Sequence, residues 1–440
     1  MKHVLLVATT TGYQIRSFGE AAEALGVRLL FASDRCDRLD DPWWDQAIPV
    51  RFDDQSGSVA AVVAAVAGKI DGVLAVGDRP TVLAARVAAA LGLPGNPPDA
   101  AANSRNKLAT RRALRAAGLP TPAFDAVPVG ANPSDVAAGR PYPVVIKPLA
   151  LSGSRGVMRV DTESDFVPAF VRLRDLLQSI DIRAERDGAH DQVLIESFVP
   201  GREYAVEAVL TGGVLQVFAI FDKPDPLDGP FFEETIYVTP SRATEATQQA
   251  IVQAIGGAAR ALGLRHGPIH AECRISDRGV YVLEVAPRPI GGLCSKAVRF
   301  QLAEGESVHL RQGSGGQVRR RHGDGGQASL EEVLLRHAIG DDVGGFTRET
   351  GASGVMMIPI PAPGVFRGVA GVEDACAIPG IREVLITAKA DETLVPLPEG
   401  RSYLGFIFAR ASTPDSVERA LRSAHERLVF SIDRALTIVG

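Results

Sequence analysis

At 440 residues, with 46% hydrophobic and 22% charged residues, the chain is long enough for two to four domains and has the composition of soluble globular proteins. A formal net charge of -5 excludes nucleic-acid binding through a general basic surface, and no apolar run reaches the roughly 20 residues that span a bilayer. Four cysteines (Cys36, Cys273, Cys294 and Cys376) without any C-x-x-C argue against a disulfide framework or a zinc site.

The first residues, MKHVLLVATTTG, turn polar too early for a signal peptide and read as a first strand, so the expected location is cytoplasmic. Strands are expected at 3–8, 27–32 and 72–76, and helices at 13–25, 59–67 and 80–91, with a polar connection carrying Trp43 and Trp44. This alternation indicates a parallel, Rossmann-like α/β layer over residues 1–102. The loop from Thr9 to Gly12 lacks G-x-G-x-x-G, so dinucleotide binding is not supported, and the layer reads as scaffold that contributes to an acceptor pocket. A helix is expected at 108–117, stopped by Gly118. A strand at 143–148 carries Lys147 near its end. The Gly/Ser stretch Ser152, Gly153, Ser154, Arg155, Gly156 follows, then strands at 157–160, 193–198 and 203–210 and a helix at 248–262. Mixed strands, helices and hairpins give α+β lobes here, so the fold class is α/β plus α+β. Residues 313–326, rich in glycine and holding Arg319, Arg320 and Arg321, cannot build a core and read as a solvated loop. A helix at 329–339, strands at 355–360, 384–388 and 404–410 and a helix at 416–430 complete a small C-terminal α+β unit.

The stretch PIHAECRISDRGVYVLEVAPRPIGG at 268–292 reads as strands 269–275 and 280–285 joined by the three-residue loop Asp277, Arg278, Gly279. That register sets Glu272 directly across from Glu284. Strand parity puts Ile269, Ala271, Cys273, Ile275, Tyr281, Leu283 and Val285 on the core face, and His270, Glu272, Arg274, Glu284 and Arg288 on the other. Two carboxylates with Cβ atoms about 5 Å apart repel unless a cation lies between them, and an all-oxygen pair on a rigid sheet suits Mg²⁺ or Mn²⁺. The alternative is a solvent-facing hairpin neutralised by Arg274 and Arg288. Lys147 before a Gly/Ser loop is a phosphate cradle: glycines let backbone amides approach the oxygens while the ammonium supplies charge. It is not a Walker A loop, because its lysine precedes the glycines. An ordinary hairpin turn is the competing reading.

In chain order, Lys107 before a helix, Lys147 before the Gly/Ser loop, Glu196-Ser197-Phe198-Val199 with Glu203, and Glu272 and Glu284 before Pro287-Arg288-Pro289 resemble the signature of the ATP-grasp superfamily. The flanking layers, and Phe221-Asp222-Lys223-Pro224 leading to Phe232-Glu233-Glu234-Thr235, resemble carboxylate-amine ligases of the L-amino-acid-ligase type. The resemblance implies an ATP-grasp domain over 103–345, with a small lobe about 120–195 and a large lobe about 196–345, followed by a C-terminal domain over 346–440.

It further implies that Lys107, Lys147 and the loop Ser152, Gly153, Ser154, Gly156 meet the ATP phosphates, with Lys223 as a further phosphate lysine. Glu196 and the backbone of Phe198 and Val199 would hold adenine, and Glu203 the ribose hydroxyls. Glu272 and Glu284 would be metal ligands, and Glu284 and Arg288 catalytic. Glu234, Arg288 and Gly291 would bind substrate. Many members carry E-x-N after the hairpin turn; Ala286 stands here in place of the Asn, which puts a second metal ion in doubt.

The expected function is ATP-dependent amide-bond formation through an acyl phosphate, joining small-molecule carboxylate and amine substrates of the amino-acid kind, with no nucleic-acid or membrane partner and a homodimer left open. An ATP-grasp carboxylase or purine-biosynthesis-type enzyme, or a non-catalytic nucleotide-binding regulator, are the alternatives. Cys294 reads as a packing residue.

Overall fold

The structure, a computed structural model, describes residues 1–9, 14–34, 47–302, 327–400 and 402–433. The expectations on residues 10–12, Trp43, Trp44 and the Gly/Arg-rich stretch 313–326 lie outside them.

The N-terminal layer is a four-stranded parallel sheet in the order Ala47–Pro49, Arg28–Ser33, His3–Ala8, Gly72–Val76. Its central strand is apolar on both faces because both are covered. Val4, Leu6 and Ala8 enter one core with Phe18 and Phe31, while Leu5 and Val7 enter another with Val62 and Leu83. The helices Gln14–Leu25, Gln55–Val66 and Thr81–Ala90 fall at the expected places, the second beginning four residues before the expected 59.

Beyond Pro98–Arg105, a helix the sequence pattern did not reveal, Asn106 caps the next helix, Lys107–Ala116, through its side-chain oxygen and the Ala109 amide at 3.1 Å. An antiparallel sheet in the order Phe124–Pro128, Gln192–Ser197, Val144–Pro148, Met158–Val160 follows in space, with the helix Glu163–Leu177 packed on it through Phe166, Phe170 and Leu173. A second, eight-stranded antiparallel sheet runs Gly279–Ala286, Gly267–Ser276, Arg202–Thr211, Val214–Asp222, Ile236–Thr239, Ala352–Ile358, Gly405–Ala411, Ile381–Ile386. It does not stop near residue 346: Ile236–Thr239 pairs with Ala352–Ile358, so one sheet carries both the acidic hairpin and the C-terminal strands. The helix Glu245–Leu262 covers one end of it and Pro414–His425 the other.

Two expectations are corrected. The hairpin turn has two residues, since Ser276 pairs with Gly279, and a bulge between Glu272 and Cys273 absorbs the extra residue. Glu272 still faces Glu284, but parity reverses toward the turn: Val280 and Val282, not Tyr281 and Leu283, pack with Cys273 and Ile275. The last helix ends at His425 and does not reach 430; Val429–Asp433 is instead a strand paired with Gly364–Ala370. Pairing with a neighbouring strand overrides a helical reading of that short polar-apolar run.

Candidate active site

The site lies where the two antiparallel sheets and the N-terminal layer meet. Antiparallel pairing of Arg202–Thr211, Gly267–Ser276 and Gly279–Ala286 sets alternate polar side chains of three strands side by side: Glu203, Glu207, His270, Glu272, Arg274 and Glu284.

Charge on this surface is organised around Lys223, at the end of Val214–Asp222. Its buried Nζ lies 2.8 Å from Glu203, 2.7 Å from Glu234 and 2.7 Å from Glu272. Tyr237 donates from its hydroxyl to Glu234 at 2.8 Å, and Arg274 donates from Nε to Glu203 at 2.9 Å. Glu203, Glu234 and Glu272 can each offer one oxygen such that all three atoms lie within 4.8 Å of one another. Burial, and then the Glu272 charge, push Glu234 up to about 7 against the opposing pull of Lys223. Glu272 itself is opposed by burial but held well below the usual carboxylate range by Lys223 and His270. The sequence pairing of Glu272 with Glu284 alone therefore describes half of the acidic surface.

Glu284 stands beside it with fewer partners, its carboxylate 3.7 Å from the Lys107 ammonium, which also donates to the Leu151 carbonyl at 2.7 Å. The helix N-terminus that carries Lys107 is anchored by its backbone amide on the Leu149 carbonyl at 2.9 Å, so the lysine sits against the base of the Gly/Ser loop. The donor set fits a hard divalent ion: Glu272 and Glu284 are carboxylates on adjacent strands, and Ala286, 2% exposed, adds no further oxygen.

Lys147 and Glu196 are placed together, but with a third partner. Lys147 Nζ is 2.5 Å from Glu196, whose other oxygen accepts from Arg111 Nε at 2.6 Å. Arg111 is wholly buried and also donates to the Val282 carbonyl at 2.9 Å, tying the helix Lys107–Ala116 to both sheets. Burial opposes the Glu196 charge, but Arg111 and Lys147 bring it down to about 2. Burial pulls Lys147 down to about 8, more than Glu196 restores. Phosphates bind the ammonium form, so ATP affinity is expected to be flat below pH 8 and to weaken as pH rises beyond it. Titration calorimetry with ATP from pH 7 to 9.5, on the wild-type chain and on Lys147→Met, measures this, and equal affinity of the two chains at pH 7 would remove Lys147 from the phosphate site.

At Phe198 and Val199 the chain leaves the strand. The Phe198 amide donates to the Pro143 carbonyl at 3.0 Å and the Val199 carbonyl accepts from Arg274 at 2.9 Å. Among the described residues the Val199 amide has no backbone partner. In the Gly/Ser loop, Gly153, Ser154 and Gly156 take positive φ of 63°, 54° and 76°. The Gly156 amide donates to the Pro398 carbonyl at 2.8 Å, so one of the expected phosphate donors is occupied.

Arg288 is 8% exposed; its Nε donates to Asp78 at 2.8 Å and its Nη1 to the Pro289 carbonyl at 3.0 Å. Burial opposes the charge on Asp78, but Arg288, Lys107 and His270 hold its carboxyl below the usual range. The loop that holds Gly291 is fixed from two sides: Glu207 accepts the Ile290 amide at 3.0 Å, and Gln14 donates to the Ile290 carbonyl. Cys294 is 1% exposed, and burial pushes its thiol far above the reactive range.

Sequence reasoning missed Asp78, Arg111, Glu207 and Tyr237. For Arg111 a signal existed, because it shares the buried helix face of Leu108 and Leu114 at a spacing of three. Asp78 had none, since its partner lies 210 residues away.

Known proteins match this architecture piece by piece. Residues 140–297 match the ATP-grasp domain family, residues 19–95 the ATP-grasp N-terminal domain, and residues 356–433 the L-amino acid ligase C-terminal domain 2. The crystal structure of L-amino acid ligase from Bacillus licheniformis superposes with a TM-score of 0.78 at 26% identity, covering 99% of each chain. Carnosine synthase 1 of Gallus gallus is 32% identical over 235 residues, which is 50% of this chain and 24% of that protein. D-alanine–D-alanine ligase of Gloeobacter violaceus is 31% identical over 234 residues, 50% of this chain and 71% of that one. Across five curated relatives the chain spans between 24% and 64% of their own length.

Proposed function

This chain belongs to the ATP-grasp superfamily, with the domain set of an L-amino acid ligase, and from that premise we propose that it joins a carboxylate to an amine at the expense of ATP. ADP and phosphate are released, and an acyl phosphate is the intermediate. The observation that carries this reading is the strip of Glu203, Glu234, Glu272 and Glu284, bracketed by Lys223 from its own sheet and Lys107 from the opposing helix.

In this reading ATP lies between the two antiparallel sheets. Lys107, Lys147 and Lys223 neutralise its phosphates, the loop Ser152, Gly153, Ser154, Gly156 covers them, and the Val199 amide reads adenine. Glu203 accepts from the ribose hydroxyls. Glu272 and Glu284 would hold Mg²⁺ or Mn²⁺, which when bound screens the β- and γ-phosphates. The substrate carboxylate attacks the γ-phosphorus in line, and Arg288, already oriented by Asp78, steadies the transferring group through its guanidinium. The amine then displaces phosphate from the acyl carbon. In this reading Glu234, its carboxyl raised to about 7, would bind the incoming amine or accept its proton, and Gly291 would back the substrate on a loop held by Glu207 and Gln14. No nucleophilic side chain is needed, in keeping with the inert Cys294.

The test is phosphate release over a matrix of amino acids with ATP and Mg²⁺, with hydroxylamine present as a trap. A hydroxamate of one acid, and an amide when the matching amine replaces hydroxylamine, is the expected result. Phosphate release with bicarbonate and no amine would move the chain to the carboxylase-like branch, and no release with any pair would overturn the ligase reading.

A further inference from the structure

The Gly/Ser loop is held from an unexpected quarter. The turn at 396–400 lies within the stretch that matches the L-amino acid ligase C-terminal domain 2, more than 240 residues further along the chain. From it, the Pro398 carbonyl accepts the Gly156 amide at 2.8 Å and the Glu399 carbonyl accepts from Arg155 Nε at 2.8 Å. The Glu399 carboxylate receives both Nε and Nη2 of Arg172, the latter at 2.8 Å, from the helix Glu163–Leu177. Arg155 is fixed on its other side by Asp181 at 2.7 Å.

Both partners of this contact are shaped for it. Gly156 has a φ of 76°, and a Cβ there would press to 3.0 Å from Leu173. Gly400 closes the turn onto the Pro396 carbonyl at 2.9 Å, where a Cβ would fall 1.7 Å from the Val395 carbonyl oxygen. Beside these bonds lies a cleft of about 580 Å³ bordered by Arg172, Ser179, Thr393 and Val395. Beside this cleft the two segments are joined by polar links.

We propose that the turn at 396–400 is a latch that sets the position of the phosphate-facing loop, with Glu399 as a positioning residue for ATP binding. The proposal rests on the assignment of residues 152–156 to the ATP phosphates. A glycine-rich loop loses much freedom on ordering and has few contacts of its own, so an outside clamp decides how well it is preorganised. The latch also gives the C-terminal segment a part in nucleotide binding without any contact to the nucleotide.

The test uses the full chain and three variants, Glu399→Arg, Arg172→Glu and the double swap. Two measurements are made that do not need turnover: the rate at which trypsin cuts between Arg155 and Gly156, identified by fragment mass, and the dissociation constant for ATP with Mg²⁺. Each single variant is expected to be cut about fivefold faster and to bind ATP about fivefold more weakly, the size set by one well-formed ion pair. The double swap restores both to within about twofold. Equal cleavage in all chains, or no recovery in the swap, overturns the latch. Faster cleavage with unchanged ATP affinity also overturns it, because the loop would then be clamped for a reason unrelated to the nucleotide. A chain that shows the expected pattern yet releases no phosphate with any acid and amine keeps the latch and loses the ligase reading.

Discussion

Glu284→Gln lowers phosphate release by about 10³-fold while leaving the melting temperature nearly unchanged. The magnitude follows from removing one charge that, in the proposed site, faces the transferring phosphoryl group and its divalent ion, where single electrostatic contacts are worth about 10²–10³ in rate. Stability is spared because the Glu284 side chain is 22% exposed and its one ion contact, Lys107, lies 3.7 Å away. Glutamine keeps the shape and the strand position opposite Glu272. Cys294→Ala is the control: its buried thiol has no role in the proposed chemistry, and most turnover remains. Steady-state phosphate release on the two variants decides the matter. More than a tenth of wild-type turnover in Glu284→Gln, or loss of turnover in Cys294→Ala, would relocate the chemistry away from the acidic hairpin.

The second large effect is on folding. Arg111→Met is expected to destabilise the protein by about 3–5 kcal/mol, the usual cost of stripping one partner from a buried ionic cluster. Arg111 is fully buried, and its loss leaves Glu196 with Lys147 alone and the Val282 carbonyl without its donor. Methionine fills most of the volume, so the effect is electrostatic more than steric. Combining Arg111→Met with Glu196→Gln should cost less than the sum of the two single changes, because the Arg111–Glu196 contact is then lost only once, while Lys147 loses its carboxylate equally in both Glu196→Gln proteins. Thermal and urea unfolding of the four proteins give the cycle. A single-variant cost below about 1 kcal/mol would mean that the helix Lys107–Ala116 is held by its apolar face and not by this cluster.

Three strands and the three helices of the N-terminal layer were legible because their cues are local, while the short edge strand Ala47–Pro49 was not expected. Gly72–Val76 is an apolar run bounded by turn residues, and the helix Gln14–Leu25 shows its period within a dozen positions. The lysines and glutamates of the site were legible for another reason: they resemble an ordered signature, each member of which is recognisable at its own place in the chain. The helix Glu163–Leu177 was not found, because Pro168 in its interior is a residue that local rules read as punctuation; the strand Val214–Asp222 was missed although VLQVFAIFD is rich in strand-favouring residues.

The hairpin marks the boundary between the two kinds of information. Its two strands and the facing of Glu272 and Glu284 were expected from the sequence, but the expected three-residue turn has two residues, and the facing survives because the bulge offsets the difference. The bulge was not expected, since Tyr281 and Leu283 are as apolar as Val280 and Val282, and only packing against Glu245–Leu262 selects which pair turns inward. The same holds for Arg111 with Glu196, 85 residues apart, Asp78 with Arg288, 210 apart, and Arg172 with Glu399, 227 apart. Side-chain periodicity is a property of a segment and can be read within it. Which distant charge neutralises which, and how one sheet continues from the acidic hairpin into the C-terminal strands, depends on the packing of segments that are neighbours only in the folded state.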